Sequence, residues 1–242
     1  MVDDGRGDRH AGDDVRMRCA VIILSWFKYA VKRCGRTAYY VLAVRGRNRR
    51  VALRGVENIL VVAHPDDEMI FFRQFLKRHG STTLVLCITN GGHPTRQKEF
   101  MRSVARFQAR GVILNFPDEP RDWPGARVEQ VLDAVVRASS ATQLVTHNEQ
   151  GEYGHPHHRQ LHEIVRRVGV RWHRKRGIEV LTAAPNERLL ARENRLSEAE
   201  LSEKLACFAD IYASQRAWIL DEAGDCYRFV VHEALPIPVA DR

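Results

Sequence analysis

Ile59-Leu60-Val61-Val62-Ala63-His64-Pro65-Asp66-Asp67-Glu68 is an apolar run that stops abruptly at one imidazole and three carboxylates. Residues 59–63 have the length and β-branched content of a strand covered on both faces, the kind found in parallel sheets packed between helices. In open α/β sheets ligands gather in the crevice beyond the carboxyl ends of the strands, so His64, Asp66 and Asp67 stand where ligand chemistry is expected. Read alone, the same residues also make a plain helix start, with Pro65 near the first turn and acids favouring its N-terminus.

A second cluster weakens that bland reading. His147-Asn148-Glu149-Gln150-Gly151-Glu152-Tyr153-Gly154-His155-Pro156-His157-His158-Arg159-Gln160-Leu161-His162 holds five of the chain's eleven histidines. Upstream, residues 143–146 read as another short buried strand. Downstream, Leu161, Ile164, Val165 and Val168 follow helical spacing. The pattern is again strand, loop and helix start. Two such loops at neighbouring strand ends could bring His64, Asp67 and a histidine of the second cluster to one point, and two histidines with one carboxylate are a recipe for catalytic zinc.

Together, Ala63-His64-Pro65-Asp66-Asp67-Glu68 and Gly151-Glu152-Tyr153-Gly154-His155-Pro156-His157-His158 resemble the PIG-L/LmbE-like family of zinc-dependent N-deacetylases. The likeness continues through Thr89-Asn90-Gly91-Gly92, Arg96-x-x-Glu99 and Asn115-Phe116-Pro117-Asp118, and more weakly through Tyr212-x-Ser214-Gln215 and Glu233. It implies hydrolysis of an acetamide on an N-acetylglucosaminyl conjugate within a Rossmann-like fold.

Residue by residue, the resemblance makes His64, Asp67 and His158 the Zn2+ ligands, with Fe2+ an alternative that the same donor set suits. It makes Asp66 the general base, a protonated His155 the electrostatic or acid partner, and Tyr153 an extra donor to the oxyanion. Arg96 and Asp118 become sugar contacts. Zinc lowers the pKa of bound water to about 7, so a neighbouring carboxylate can complete its deprotonation near neutral pH.

One position departs from the family, which usually carries Asp or another polar residue where this chain has His157. His157 is therefore a competing donor, and His158 with His162 forms an i, i+4 pair that can itself hold metal. His162 reads more readily as a helix-face histidine, His147 as a loop-shaping residue and His93 as an exposed turn residue. Simpler readings remain for an Arg96–Glu99 ion pair, a turn at Asp118 and a Tyr153 that seals its loop.

Strands are predicted at 59–63, 84–89, 112–116, 143–146 and 178–182, and helices near 68–79, 96–110, 127–139, 157–168 and 197–213. The last opens on the capping pattern Ser197-x-x-Glu200. The alternation predicts an α/β fold, a Rossmann-like three-layer sandwich with a mostly parallel sheet and helices on both faces. Neither a GxGxxG nor a phosphate loop occurs, which disfavours a nucleotide cofactor. Five cysteines without a CxxC pair argue for a reducing compartment, and Cys87 reads as core.

Charge divides the chain into a basic N-terminal arm, 1–55, and a catalytic domain, 56–242. The arm holds 13 Arg or Lys against 5 Asp, which accounts for the net charge of +8 of all 242 residues. Its first 14 or so residues read as disordered, and Met17 is an alternative start. Its apolar runs fall short of the ~20 residues of a spanning helix. Residues 16–55 read either as a peripheral anchor on anionic lipid or as a packed helix with a solvated charged face. The expected location is cytoplasmic, at the membrane face if the arm binds lipid. Two other functions stay in view: a non-catalytic metal-containing sugar-binding protein, and a basic nucleic-acid-binding protein. A balanced charge over 56–242 disfavours nucleic acid. Asp66 disfavours a silent scaffold, which has no use for a free base beside the metal.

Overall fold

The computed structural model describes residues 53, 55–119, 123–183 and 196–217 and the backbone of 235–236. The basic arm, apart from Leu53 and Gly55, and Glu233 lie outside the described residues.

Strand β1 (Asn58–Val62) is buried along its whole length, as is β2 (Thr83–Thr89), and each consists largely of Val, Leu and Ile. Two-sided burial of this kind belongs to a central parallel strand. The remaining strands are β3 (Arg110–Phe116), β4 (Gln143–Thr146), β5 (Glu179–Thr182) and a short β6 (Leu235–Pro236). They form one sheet in the order β3-β2-β1-β4-β5-β6, parallel throughout except for the antiparallel β5–β6 pair. The expected mostly parallel α/β sheet is the one observed.

Six helices are described: α1 (Asp67–Ile70), α2 (Arg73–His79), α3 (Pro94–Arg106), α4 (Gly125–Ala138), α5 (Pro156–Arg176) and α6 (Glu198–Ile211). Alternate side chains of β1 divide between two apolar layers. Ile59 and Val61 pack with Val128, Leu132, Leu161 and Val165 of α4 and α5, whereas Leu60 and Val62 pack with Phe100, Val104 and Phe208 of α3 and α6. The period-two alternation of β1 thus builds both cores at once. Cys87, at 0% exposure, lies in the second layer as expected.

Three helices differ from expectation, the one predicted over 96–110 by ending at Arg106, with Arg110 already in β3. The helix predicted over 68–79 is interrupted at Phe71 and Phe72, whose rings both turn under the site against His147 at centroid distances of 6.0 and 5.7 Å. An unbroken helix would set adjacent side chains about 100° apart and could not place both rings there. The helix expected to end near Val168 continues to Arg176, where Gly177 at φ 68° closes it behind a basic last turn. The capping box forms as predicted: the Glu200 amide donates to Ser197 Oγ and the Ser197 amide to Glu200.

Because β2 and β3 lie on one side of β1 while β4 and β5 lie on the other, the strand order reverses between β1 and β4. That switch point is where open α/β sheets bind ligands. Residues 63–68 leave β1 there, and the His-rich loop leaves β4 beside them.

Candidate metal and active site

The first loop turns sharply. Asp66 has φ 113°, a backbone conformation that costs a non-glycine residue about 1–3 kcal/mol and persists only where its surroundings enforce it. Enforcement comes from both sides. Glu68 accepts the Asp66 amide at 3.0 Å and is itself held by the Tyr212 hydroxyl, while Arg96 donates to the Pro65 carbonyl and, at 2.8 Å, to Asp66 Oδ2. Burial pushes Asp66 up to about 6 against the pull of Arg96.

The second loop also relies on left-handed backbone, at Gly151 (φ 71°) and Glu152 (φ 55°). A Cβ on Gly151 would stand 2.7 Å from the His155 carbonyl oxygen, so the turn admits no larger residue without a shift. It folds the Glu152 carboxylate inward, where it meets His147 Nδ1 at 3.1 Å, His158 Nδ1 at 2.7 Å and the Asn148 amide at 3.0 Å.

Around this frame the imidazoles gather. Asp67 lies 3.3 Å from His158 Nε2, 3.3 Å from His147 Nε2 and 3.5 Å from His64 Nδ1. Burial alone would raise the Asp67 carboxyl, but His158 and His147 hold it well below the usual carboxylate range. On the other side of His64, Nε2 lies 2.9 Å from Asp118 Oδ1 and 3.0 Å from His157 Nδ1. Burial works against charge on His64, yet Asp118 and Asp67 bring it up to about 9.

Among the described residues, three sets have donor atoms within 4.8 Å of one another: His64/His155/His158, His64/Asp118/His157 and Asp67/His147/His158. The trio expected from the sequence, His64, Asp67 and His158, is spread over the first and third. Asp67 joins His64 and His158, while His155 stands with His64 and His158 in the first set and His147 with Asp67 and His158 in the third. His158 suits a cation on its own bonding. Nδ1 is committed to Glu152, while Nε2 is buried without a hydrogen bond and faces Asp67 at 3.3 Å, the arrangement in which a second carboxylate orients a metal-binding histidine.

His64, Asp66, Asp67, Arg96, Asp118, Tyr153 and His155 line one cavity of about 490 Å3, together with Asn90, His93, His157 and Gln215. His158 sits beneath it, fully buried. Tyr153 stands at the rim, 41% exposed, with its ring 5.5 Å from that of His155. Arg96 joins both Asp66 and Glu99, and Asp118 is bonded by Asn90 at 2.9 Å, so both sugar-contact candidates also brace the cavity wall. His162 bonds the His147 carbonyl at 3.0 Å and joins none of the three donor sets among the described residues. His93 caps α3 and is exposed.

Residues 59–168 match the family model described as PIG-L: GlcNAc-PI de-N-acetylase. Through this stretch the chain is similar to the PIG-L family. It is 30% identical over 174 residues to bovine N-acetylglucosaminyl-phosphatidylinositol de-N-acetylase, an alignment covering 66% of this chain and 64% of the relative. Over 154 residues it is 29% identical to the 1D-myo-inositol 2-acetamido-2-deoxy-alpha-D-glucopyranoside deacetylase of Nocardiopsis dassonvillei, covering 47% and 55% respectively. The chain therefore spans between about half and two thirds of these curated relatives. In fold it is similar to N,N'-diacetylchitobiose deacetylase from Pyrococcus horikoshii, with a TM-score of 0.53 and 15% identity over 85% of this chain and 94% of that one. At that identity the likeness speaks for the fold alone.

All eight site residues named from the sequence fall inside the PIG-L stretch. Support also comes from outside it: Tyr212 holds Glu68, and Ser214 bonds Glu99 through its amide at 2.9 Å and its hydroxyl at 2.7 Å. Sequence reasoning missed Glu152 as the carboxylate behind two imidazoles. Its signal was present in an acid set between Gly151 and Gly154 within a histidine run.

Proposed function

We propose that this chain is a metal-dependent hydrolase that removes the acetyl group from an N-acetylated amino sugar, an N-acetylglucosaminyl conjugate. The observation that carries the reading is a buried, conformationally constrained Asp66 beside an imidazole–carboxylate donor set at the floor of a polar cavity. The PIG-L match and relatives named as deacetylases support the substrate class.

His64, Asp67 and His158 would hold a divalent cation, for which Zn2+ is the first choice and Fe2+ fits the same donors. Such an ion would polarise the acetamide carbonyl and acidify water. Asp66, raised to about 6 by burial, is the general base, suited to accept a proton near neutral pH and to return it. With Arg96 on Oδ2, the other carboxylate oxygen is the one assigned to carry that proton.

His155 Nδ1 accepts the His157 amide at 3.2 Å, so a neutral ring carries its hydrogen on Nε2. Burial and the neighbouring His158 and His64 push His155 down to about 3. It therefore serves as a neutral hydrogen-bond donor to the developing oxyanion, rather than the imidazolium expected from the sequence, and Asp66 protonates the leaving amine. Tyr153 at the rim is the second donor, and Arg96 and Asp118 shape the sugar pocket. Contact of residues 16–55 with the cytoplasmic membrane face is proposed from their charge alone.

The test is acetate release from N-acetylglucosaminyl conjugates by protein stripped with chelator and reloaded with Zn2+. Release that disappears on stripping and returns with metal is expected. Release unaffected by removal of all bound metal would contradict the reading.

A further inference from the structure

Three ring and carboxylate atoms converge on the cavity wall, and one of them, His157 Nδ1, has no part in the proposed reaction. His64 Nε2 lies 2.9 Å from Asp118 Oδ1 and 3.0 Å from His157 Nδ1, and His157 Nδ1 lies 3.4 Å from the same Asp118 oxygen. Four ligands held about 2.0–2.1 Å from zinc in a tetrahedron stand about 3.3 Å from one another. The triangle's edges of 2.9, 3.0 and 3.4 Å come within about 0.4 Å of that spacing, and all three residues line the cavity.

Each corner is braced from behind. Asn90 donates to Asp118 Oδ2 at 2.9 Å, which leaves Oδ1 to face the rings. The His157 ring is stacked on Trp123, with centroids 4.6 Å apart and planes at 19°, and is buried to 1% exposure. His64 turns Nδ1 toward Asp67 and Nε2 toward Asp118, so its two nitrogens serve different neighbours. Protons serve the triangle poorly. If both rings donate to the one carboxylate oxygen, two N–H groups crowd together at 3.0 Å, and if only one does, the other contact lacks its own hydrogen. A cation bonds all three at once.

We propose that the chain holds a second divalent cation at His64 Nε2, Asp118 Oδ1 and His157 Nδ1, and that His157, the position departing from the family pattern, creates this seat. It is distinct from the inner set Asp67/His147/His158, with which it shares no residue. With both seats filled, His147 replaces His64 beside Asp67 and His158. The outer seat shares His64 with the hydrolase reading, and stoichiometry separates the two.

The full-length chain, stripped of metal, is titrated with Zn2+ alone, and bound metal is counted after equilibrium dialysis. Two equivalents are expected for wild type. One is expected for His157→Phe, which keeps a ring on Trp123, one for Asp118→Asn, and one for His158→Ala. A single wild-type equivalent that vanishes in His157→Phe and Asp118→Asn but survives His158→Ala also supports the seat, and counts against the inner set as a metal site. Stoichiometry unchanged in both His157→Phe and Asp118→Asn overturns the proposal, whether wild type binds one ion or two, and leaves the hydrolase reading standing.

Discussion

The inner and outer halves of the imidazole cluster are built from the same residue types and solve different problems. Inside, Asp67, His147, His158 and Glu152 are buried, and each charge is answered by another: Glu152 by two rings, Asp67 by the same two. Outside, His64, Asp118, His155 and His157 face a cavity, and the Asp118 side chain remains 46% exposed. The contrast teaches where rigidity and where access reside. A buried charge without a partner is costly, so the inner half must be complete to fold, whereas water can stand in for a missing partner in the outer half.

The largest expected effect breaks the inner half. Glu152→Ala leaves two buried imidazoles without their acceptor and should cost about 3–5 kcal/mol in denaturant unfolding. Asp118→Ala in the same experiment should cost less than about 1 kcal/mol, because solvent reaches that carboxylate. Equal losses from the two substitutions would erase the distinction between the halves.

A smaller effect sharpens it with a buried cation away from the cluster. Lys204 is 2% exposed and donates to the Ile70 carbonyl at 2.8 Å, and burial pushes it down to about 7, with Arg73 adding to the shift. Between about pH 7 and 10.5 the unfolded chain holds this proton and the folded chain does not, so the Lys204 contribution makes stability rise with pH across that window. Lys204→Met should flatten the rise, read as the difference between wild-type and variant stabilities at pH 7 and pH 10. A slope identical in the two proteins would show that Lys204 keeps its proton in the fold.

The strands were legible because burial on both faces leaves little choice of residue: all five predicted strands lie within two residues of those observed. The two loops were legible because histidines and acids follow apolar runs at once. The break at Phe71–Phe72 was not, since local pattern does not say that both rings must pack under one histidine. The extension of α5 was missed because its last two turns carry mostly basic and polar residues, and only the placement of Trp172 and the Gly177 cap reveals them. Glu152 owes its partners to a loop that folds back over four to six residues, and Asp118 to residues 28 and 54 positions away. Distances of that kind are set by strand order rather than by any local spacing.

The central claim is that Asp66 moves the proton in acetamide hydrolysis without holding the metal. It is tested most directly by measuring acetate release and bound Zn2+ together in wild type and Asp66→Asn. The account predicts a fall in turnover of about 10²–10⁴-fold with metal content unchanged. Turnover like that of wild type in Asp66→Asn, with metal bound, would contradict it.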